Sequence, residues 1–182
     1  FEMNKKSFER VLDLTVNYHS VVGERNALLK KNIDYTLVDV IDDKLIEASY
    51  DIYKRRKWLL DKIIEFATKI YKYLTNESQE IRIVYNTFLN ETDSQTYFKK
   101  AKQVYQNNLA KDKEKMYTIT GIHKDDFKVY LNDLEIDMYA SQGQQRLAVL
   151  SFKLSEIPIF KDYCGSEPVL LLDDIFSELD IK

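Results

Sequence analysis

Two adjacent carboxylates follow a short apolar run near the end of the 182-residue chain. The run Pro168–Leu172 leads directly into Asp173 and Asp174, a pattern typical of a strand that is buried on both faces and delivers acids to its carboxyl edge. Ligands bind at that edge in open α/β sheets. One carboxylate of such a pair can hold Mg²⁺, and its neighbour can orient or deprotonate a water that attacks a phosphoryl group. The pair therefore predicts magnesium-dependent phosphoryl transfer, with a core strand ending in a solvated acidic turn as the alternative.

A second candidate phosphate site precedes this run. The segment SQGQQR at 141–146 opens an apolar-periodic helix that continues through Ile157. Ser141 is placed as the N-cap, and a Ser-x-Gly turn at a helix start directs free backbone N–H groups and the positive end of the helix dipole toward one point. Ser and Gly are also ordinary capping residues, so the segment taken alone leaves capping without ligand binding as an alternative.

Long helices precede both motifs. Apolar residues recur at three- and four-residue steps from about Lys5 to Lys31 and from about Leu37 to Leu74. In the second stretch the spacing alternates in the manner of a coiled-coil face. At about 1.5 Å per residue this helix would be nearly 60 Å long. With only 4 Gly and 2 Pro in the chain, we predict an arm of long antiparallel helices.

Shorter elements connect this arm to the motifs. The sequence predicts a strand at Ile81–Tyr85 and then a third helix capped by Asp93 or Ser94. Farther on, the apolar period changes to two. The segments Phe127–Leu131 and Leu134–Met138 flank Asn-Asp, a pair of residues suited to a tight turn. We therefore predict a β-hairpin immediately before the SQGQQR segment.

Charge divides the chain unevenly. Residues 1–115 carry 21 basic and 18 acidic side chains, whereas residues 116–182 carry 6 and 12. The whole chain has a formal charge of −3, which excludes adhesion of the entire molecule to nucleic acid or anionic membrane by bulk charge. We predict two domains, a helical arm with a short strand at 1–115 and a second domain at 116–182.

Cysteine usage and hydropathy bear on where the protein works. The single cysteine, Cys164, excludes an internal disulfide framework and a cysteine-built metal site, and it fits a reducing compartment. No apolar run reaches the roughly 18 residues of a membrane span. A cytoplasmic protein is therefore predicted.

The order of the motifs is similar to that of a known family. SQGQQR, a helix, VLLLDD at 169–174 and SELD at 177–180 resemble the signature motif, Walker B motif and D-loop of ABC-type ATPases. GIHKDDF at 121–127 is similar to GPHRDD of the RecF family of bacterial DNA-repair proteins, with isoleucine and lysine where that family usually has proline and arginine. RNALLK at 25–30 and LIEASYDIYKRR at 45–56 resemble its arm helices, so the resemblance covers nearly the entire chain.

The resemblance implies a fold class and roles for individual residues. The fold would be α/β and predominantly helical, with the long antiparallel arm joined to part of an ABC-type, P-loop NTPase lobe at 116–182. Asp173 would hold Mg²⁺ and Asp174 would be the catalytic base. Ser141, Gln142 and Gly143 would contact the γ-phosphate of a nucleotide held by the opposite subunit. The other implied residues are Gln144, Gln145 and Arg146 of the nucleotide-binding signature, Ser177 and Asp180 of the D-loop at the dimer interface, and Gly121, His123, Asp125 and Asp126 of the GIHKDDF loop.

The resemblance also implies a function. The cofactors would be ATP and Mg²⁺, and an ATP-dependent homodimer would bind gapped DNA at double-strand/single-strand junctions. It would help to load the RecA recombinase, with RecO and RecR as partners, in DNA replication, DNA damage repair and the SOS response. For His123 a structural role is favoured over catalysis, because the chemistry of the family does not require a histidine there.

An alternative interpretation is a non-catalytic interaction module of an SMC-like ATPase. Its helical arm would dock a repair partner or DNA, and catalysis would lie elsewhere. Exposed tyrosines on the second helix would mark such a surface, although aromatic residues at helical spacing more often pack in a core. The tyrosines concerned are Tyr50, Tyr53, Tyr71 and Tyr73.

One motif of such an ATPase is not found in this sequence. The four glycines are too widely spaced to form the G-x-x-x-x-G-K-[S/T] loop that cradles phosphates. The chain also begins at Phe1 and not at a methionine. We expect it to be the arm and an incomplete lobe of a longer ATPase, inactive by itself.

Overall fold

The computed structural model describes residues 5–31, 35–166 and 168–171. The chain forms two compact units, which interleave along the sequence. The arm unit comprises 6–57 and Asn86–Asp126, and the hairpin unit contains Trp58–Tyr85 and the part of the chain from Phe127 onwards. These units follow packing in space. The division at 115/116, which was drawn from charge and pattern, stays a prediction.

Three long helices supply the arm unit. They are α1 at Lys5–Lys31, the first part of α2 at Tyr35–Leu74, and α3 at Ser94–Lys115. In α2 the buried residues Val38, Leu45 and Ile52 follow one another at seven-residue steps, the repeat of a coiled-coil seam. The predicted helices are therefore confirmed, with ends close to those expected from the apolar spacing.

Local chemistry explains where α3 begins and ends. Asp93 is its N-cap, and the carboxylate accepts the N–H of Thr96 at 2.8 Å, so one of the first-turn donors is satisfied. At the other end Met116 adopts the left-handed conformation, and its N–H returns to the carbonyl of Lys113. Between these residues, Tyr97, Ala101 and Tyr105 are buried and follow one another at four-residue steps on one face of α3.

A small sheet and helix α5 form the hairpin unit. The strands are β1 at Ile81–Asn86, β2 at Asp126–Leu131 and β3 at Leu134–Glu135, in the order β1-β2-β3. Helix α4 follows at Ile136–Tyr139, and α5 extends over Gln142–Cys164. The buried core of this unit consists of Ala67, Tyr71, Ile81, Ile83, Leu131, Ile136 and Ala148.

The predicted hairpin is present, but its second strand is shorter than expected. Asn132 and Asp133 both have positive φ, 46° and 67°, as a type I′ turn requires. β3 ends at Glu135, because the N–H of Ala140 bonds to the carbonyl of Ile136 and closes a helical turn. Ile136 is buried whereas Met138 is exposed, so the alternating residues do not share one buried face and the strand does not continue.

The predicted strand before the paired carboxylates is wrong for residues 168–171. Residues 168–171 belong to no strand, and Val169 and Leu171 are 88% and 89% exposed. A strand buried on both faces needs a neighbour on each side for its backbone hydrogen bonds, and none of the described strands pairs with this segment. The rest of the predicted strand, including both carboxylates, lies outside the described residues.

Candidate functional site

The SQGQQR segment, residues 141–146, forms the first turn of α5 and is called the signature turn below. Ser141 is the N-cap, and its hydroxyl oxygen accepts the N–H of Gln144 at 3.3 Å. The side-chain oxygen of Gln144 in return accepts the N–H of Ser141 at 2.8 Å. This reciprocal capping box satisfies two backbone donors and sets the start of the helix. The predicted N-cap is thus confirmed.

The next glutamine reaches backwards along the chain. Gln145 Nε2 donates to the carbonyl oxygens of Ile136 at 3.1 Å and of Ala140 at 3.4 Å. The backbone N–H of Gln145 bonds to the carbonyl of Ser141 at 3.0 Å. Both glutamine side chains of the signature turn are therefore engaged with the backbone that precedes them.

The start of α5 presents an open surface for an anion. Ser141, Gln142 and Gly143 are exposed, and first-turn N–H groups have no partner within their own helix. A Cβ added to Gly143 would meet no atom within 4 Å, and Gly143 is not among the residues with positive φ. Neither packing nor backbone conformation requires glycine here. A group that approaches the backbone closely, such as a phosphate at the positive end of the helix dipole, would require it.

The GIHKDDF loop lies in the arm unit and is closed by packing. We call Gly121–Asp126 the 121–126 loop. Gly121 has φ 139°, and an added Cβ would lie 2.6 Å from the hydroxyl oxygens of Tyr18 and Tyr105. The chain then makes one 3₁₀ turn, in which the N–H of Lys124 bonds to the carbonyl of Gly121 at 2.9 Å. Only glycine fits at this position.

Both ring nitrogens of His123 are engaged. Nε2 lies 3.2 Å from the carbonyl oxygen of Thr118, and Nδ1 lies 2.9 Å from the hydroxyl of Tyr18. Because a carbonyl can only accept, Nε2 carries the proton and Nδ1 accepts from Tyr18. Burial lowers the pKa of His123 below its ordinary value and raises the pKa of Tyr18 to about 12. Both groups are neutral near pH 7, which supports the structural role expected for this histidine.

Other contacts hold the rest of the loop. Arg56 donates to the carbonyl of Ile122 at 2.7 Å, and a carboxylate oxygen of Asp125 accepts the N–H of Phe88 at 3.1 Å. Asp126 is exposed at the first position of β2. The loop is therefore held by α1, α2 and the segment before α3. These contacts use groups of its backbone and its imidazole, and the groups so used are not available to a ligand.

A buried ion-pair network was not anticipated from the sequence. Arg25 is fully buried and donates to Asp42 and Asp112, each at 2.6 Å, and to the hydroxyl of Thr118 at 3.0 Å. Its guanidinium carbon lies 5.2 Å from the ring centroid of Tyr105. Burial raises the pKa of Asp42, and Arg25 opposes that rise. Arg25 lies three residues after Val22 and four before Leu29, and this position on the apolar stripe of α1 is the signal for its burial in the sequence.

Comparisons with known proteins decide the family. No profile of a protein family matches the chain. DNA replication and repair protein RecF of Clostridium perfringens (strain 13) is 35% identical over 183 residues, covering 100% of this chain and 49% of the relative. RecF of Clostridium beijerinckii is 39% identical over 172 residues, covering 92% and 46%. The chain belongs to the RecF family. It spans about half the length of the curated relatives that it matches.

A solved structure agrees with this assignment. The recombination mediator protein RecF-ATP in the RecFOR pathway superposes with a TM-score of 0.86 at 32% sequence identity, over 94% of this chain and 48% of the other. The predicted fold class is thereby confirmed, since a mostly helical chain with a small sheet matches part of an ABC-type ATPase of the RecF family. No helix in the described part of the chain is long and apolar enough to cross a membrane.

The other predicted site residues of the RecF family motifs fall into two groups. The six signature residues lie together at the start of α5, as expected from their order in the chain. Asp173, Asp174, Ser177 and Asp180 lie outside the described residues, and their roles stay predictions. Within the described residues there is no cluster of three or more His, Cys, Asp or Glu side chains that could hold a metal ion.

The tyrosines of α2 give little support to an aromatic docking surface. Tyr53 and Tyr71 are buried, and Tyr50 donates to the carbonyl of Thr92 at 2.8 Å. Tyr73 is 81% exposed. The surface that would have favoured a non-catalytic interaction module is therefore reduced to one strongly exposed tyrosine among these four, because the others pack or hydrogen-bond within the chain.

Proposed function

We propose that the chain is part of an ATP-dependent protein of recombinational DNA repair. The observation that carries this proposal is the open, capped start of α5, where the N–H groups of Gln142 and Gly143 face no helical partner and Gly143 leaves room for close approach. A phosphate fits this arrangement of charge and space. Membership in the RecF family supports the same conclusion.

In this proposal two copies of the full-length protein enclose ATP between them. Ser141, Gln142 and Gly143 of one copy contact the γ-phosphate of the nucleotide held by the other copy. Asp173 holds Mg²⁺ and Asp174 acts as the catalytic base, the division of roles expected of paired carboxylates in phosphoryl transfer. The D-loop residues Ser177 and Asp180 lie at the interface between the copies.

The names of the relatives support a cellular role in DNA replication and repair. We infer that the full-length protein acts in the cytoplasm on gapped DNA, at double-strand/single-strand junctions, and helps to load the RecA recombinase. RecO and RecR are the proposed partners, because the similar structure is that of a protein of the RecFOR pathway. DNA damage, DNA replication and the SOS response are the proposed settings.

A charge placed on Gly143 tests the phosphate site. In the full-length protein we expect Gly143→Asp to abolish ATP-dependent dimerisation, measured by sedimentation velocity, because a carboxylate would occupy and repel the γ-phosphate position. The variant should fold normally, since an acidic side chain in the first turn of a helix interacts favourably with the helix dipole.

Gly23→Asp is the matched control. Gly23 also lies in a helix, is exposed, and has no atom within 4 Å of an added Cβ, but it lies within α1 and away from any helix start. We expect this variant to dimerise with ATP as the unchanged protein does. Normal ATP-dependent dimerisation of Gly143→Asp would contradict the proposed function.

A further inference from the structure

The two adjacent glutamines Gln144 and Gln145 play opposite hydrogen-bonding roles in the signature turn. Gln144 accepts, because its side-chain oxygen receives the N–H of Ser141 at 2.8 Å. Gln145 donates, because its Nε2 lies 3.1 Å from the carbonyl oxygen of Ile136 and 3.4 Å from that of Ala140. The first contact can be made by glutamine or glutamate, as in any capping box. The second needs a side chain with N–H groups.

The contact of Gln145 lies where the chain changes direction. Helix α4 ends at Tyr139 and α5 begins at Gln142, so two residues separate the helices. The short α4 leaves carbonyl groups without helical partners at its carboxyl end. The carbonyl of Ile136 accepts both the N–H of Ala140 and the amide of Gln145. The half-buried amide therefore ties the end of α4 to the first turn of α5.

We propose that Gln145 is a positioning residue for the phosphate site. It touches no phosphate itself and holds the α4–α5 junction, so that the N–H groups of Gln142 and Gly143 keep a fixed direction. This inference rests on the proposed function. A fixed array of donors stabilises developing charge without reorganisation during the reaction, so loss of the tie lowers the rate of turnover more than the binding of ATP.

Exchange of each glutamine for glutamate isolates the donor. Gln145→Glu keeps the size and the helix propensity of the side chain, but it removes the N–H groups and places a negative charge against two carbonyl oxygens. Gln144→Glu adds the same charge one residue earlier and keeps the acceptor for Ser141. Gln103→Glu, at an exposed position of α3, controls for the added charge alone.

The measurements are kcat and KM for ATP hydrolysis by the full-length variants, with thermal unfolding of each. We expect Gln145→Glu to lower kcat about tenfold with KM within about twofold, the pattern of an interaction needed after ground-state binding. The kcat of Gln144→Glu should remain at least about threefold higher than the kcat of Gln145→Glu. Gln145→Met, which removes the donor without adding charge, should behave like Gln145→Glu and serves in its place if the glutamate variant does not fold.

The outcomes separate this inference from the function on which it rests. Equal kcat values for the two glutamate variants would overturn the positioning role. The role would also be overturned if Gln145→Met lost activity only in proportion to its loss of folded protein. If Gly143→Asp abolishes ATP-dependent dimerisation while Gln145→Met turns over normally, the proposed function stands and the inference falls. If Gly143→Asp dimerises with ATP normally, the proposed function itself fails.

Discussion

The 121–126 loop and the signature turn both carry motifs with a glycine, yet their environments are opposite. Gly121 has no space for a side chain, with two tyrosine oxygens 2.6 Å from an added Cβ. Gly143 has no atom within 4 Å of the same position. His123 uses both ring nitrogens inside the arm unit, whereas Gln142 and Gly143 present free first-turn N–H groups to solvent.

This difference separates two reasons for a motif. In the 121–126 loop the residues satisfy one another, so the motif specifies a packed structure. In the signature turn the side chains of Gln144 and Gln145 satisfy the backbone before the helix and leave its exposed start free. At an exposed helix start, an open glycine leaves room for a ligand at the backbone N–H groups. A crowded glycine with positive φ indicates packing.

The largest expected effect comes from the buried ion pairs beside the loop. Arg25→Met leaves Asp42 and Asp112 buried without their cation, so we expect a loss of about 3–5 kcal/mol in the free energy of unfolding. Urea unfolding followed by circular dichroism measures this loss. The matched control is Arg82→Met, because Arg82 and Asp133 form an exposed pair at 3.3 Å, a class worth about 0–1 kcal/mol. Similar losses in the two variants would mean that the Arg25 network does not anchor the arm unit.

The two glycines should respond differently to the same substitution. For Gly121→Ala we expect a loss of about 3 kcal/mol or more, because its φ of 139° and ψ of 173° are nearly restricted to glycine and because the added methyl group overpacks the site. For Gly143→Ala we expect a gain of about 0.5 kcal/mol, since alanine favours the helix. Urea unfolding compares both variants, and a destabilised Gly143→Ala would refute the open environment described for the signature turn.

The smallest expected effect is the pH dependence of the loop. Because the pKa of His123 is lowered in the folded protein from its ordinary 6.5, the unfolded chain binds its proton more readily. The contribution of His123 to stability is therefore present above pH 6.5 and is lost as the pH falls through the lowered pKa. Protonation would also remove the acceptor that Nδ1 offers to Tyr18.

Thermal unfolding between pH 7.5 and 5.5 measures this effect. His123→Asn keeps an acceptor near the position of Nδ1 and does not titrate, so its melting temperature should fall less over this range than that of the unchanged protein. His19, Lys124 and Asp125 also act electrostatically on His123 and are retained in both proteins. Equal slopes in the two proteins would show that His123 does not carry the pH dependence.

Several parts of the fold could be predicted because their causes lie close together in the chain. The apolar steps of α1 and α2 set the bounds of those helices, and Asp93 capped α3 as expected. The Asn-Asp turn of the hairpin was also correct. The second strand was not, because the alternation of Leu134, Ile136 and Met138 does not reveal which of these residues has a core to enter.

The candidate site was predictable to a similar extent. The order of Ser141, Gly143 and the following apolar residues is enough to place a capped helix start, since an N-cap acts within one turn. The backward reach of Gln145 was not foreseen, because it depends on Ile136 ending its strand and starting a helical turn. The same local order made the RecF family recognisable from motifs alone.

The amino-acid sequence by itself determined the long helices, their caps, the hairpin turn and the signature turn, since each arises from residues within a few positions of one another. Only the tertiary structure decided which polar groups are buried with partners and which are exposed to solvent. Tyr18 meets His123 across 105 positions, and Arg25 meets Asp112 across 87. Contacts over such distances depend on how the helices pack, and burial shifts the pKa values of Tyr18 and His123.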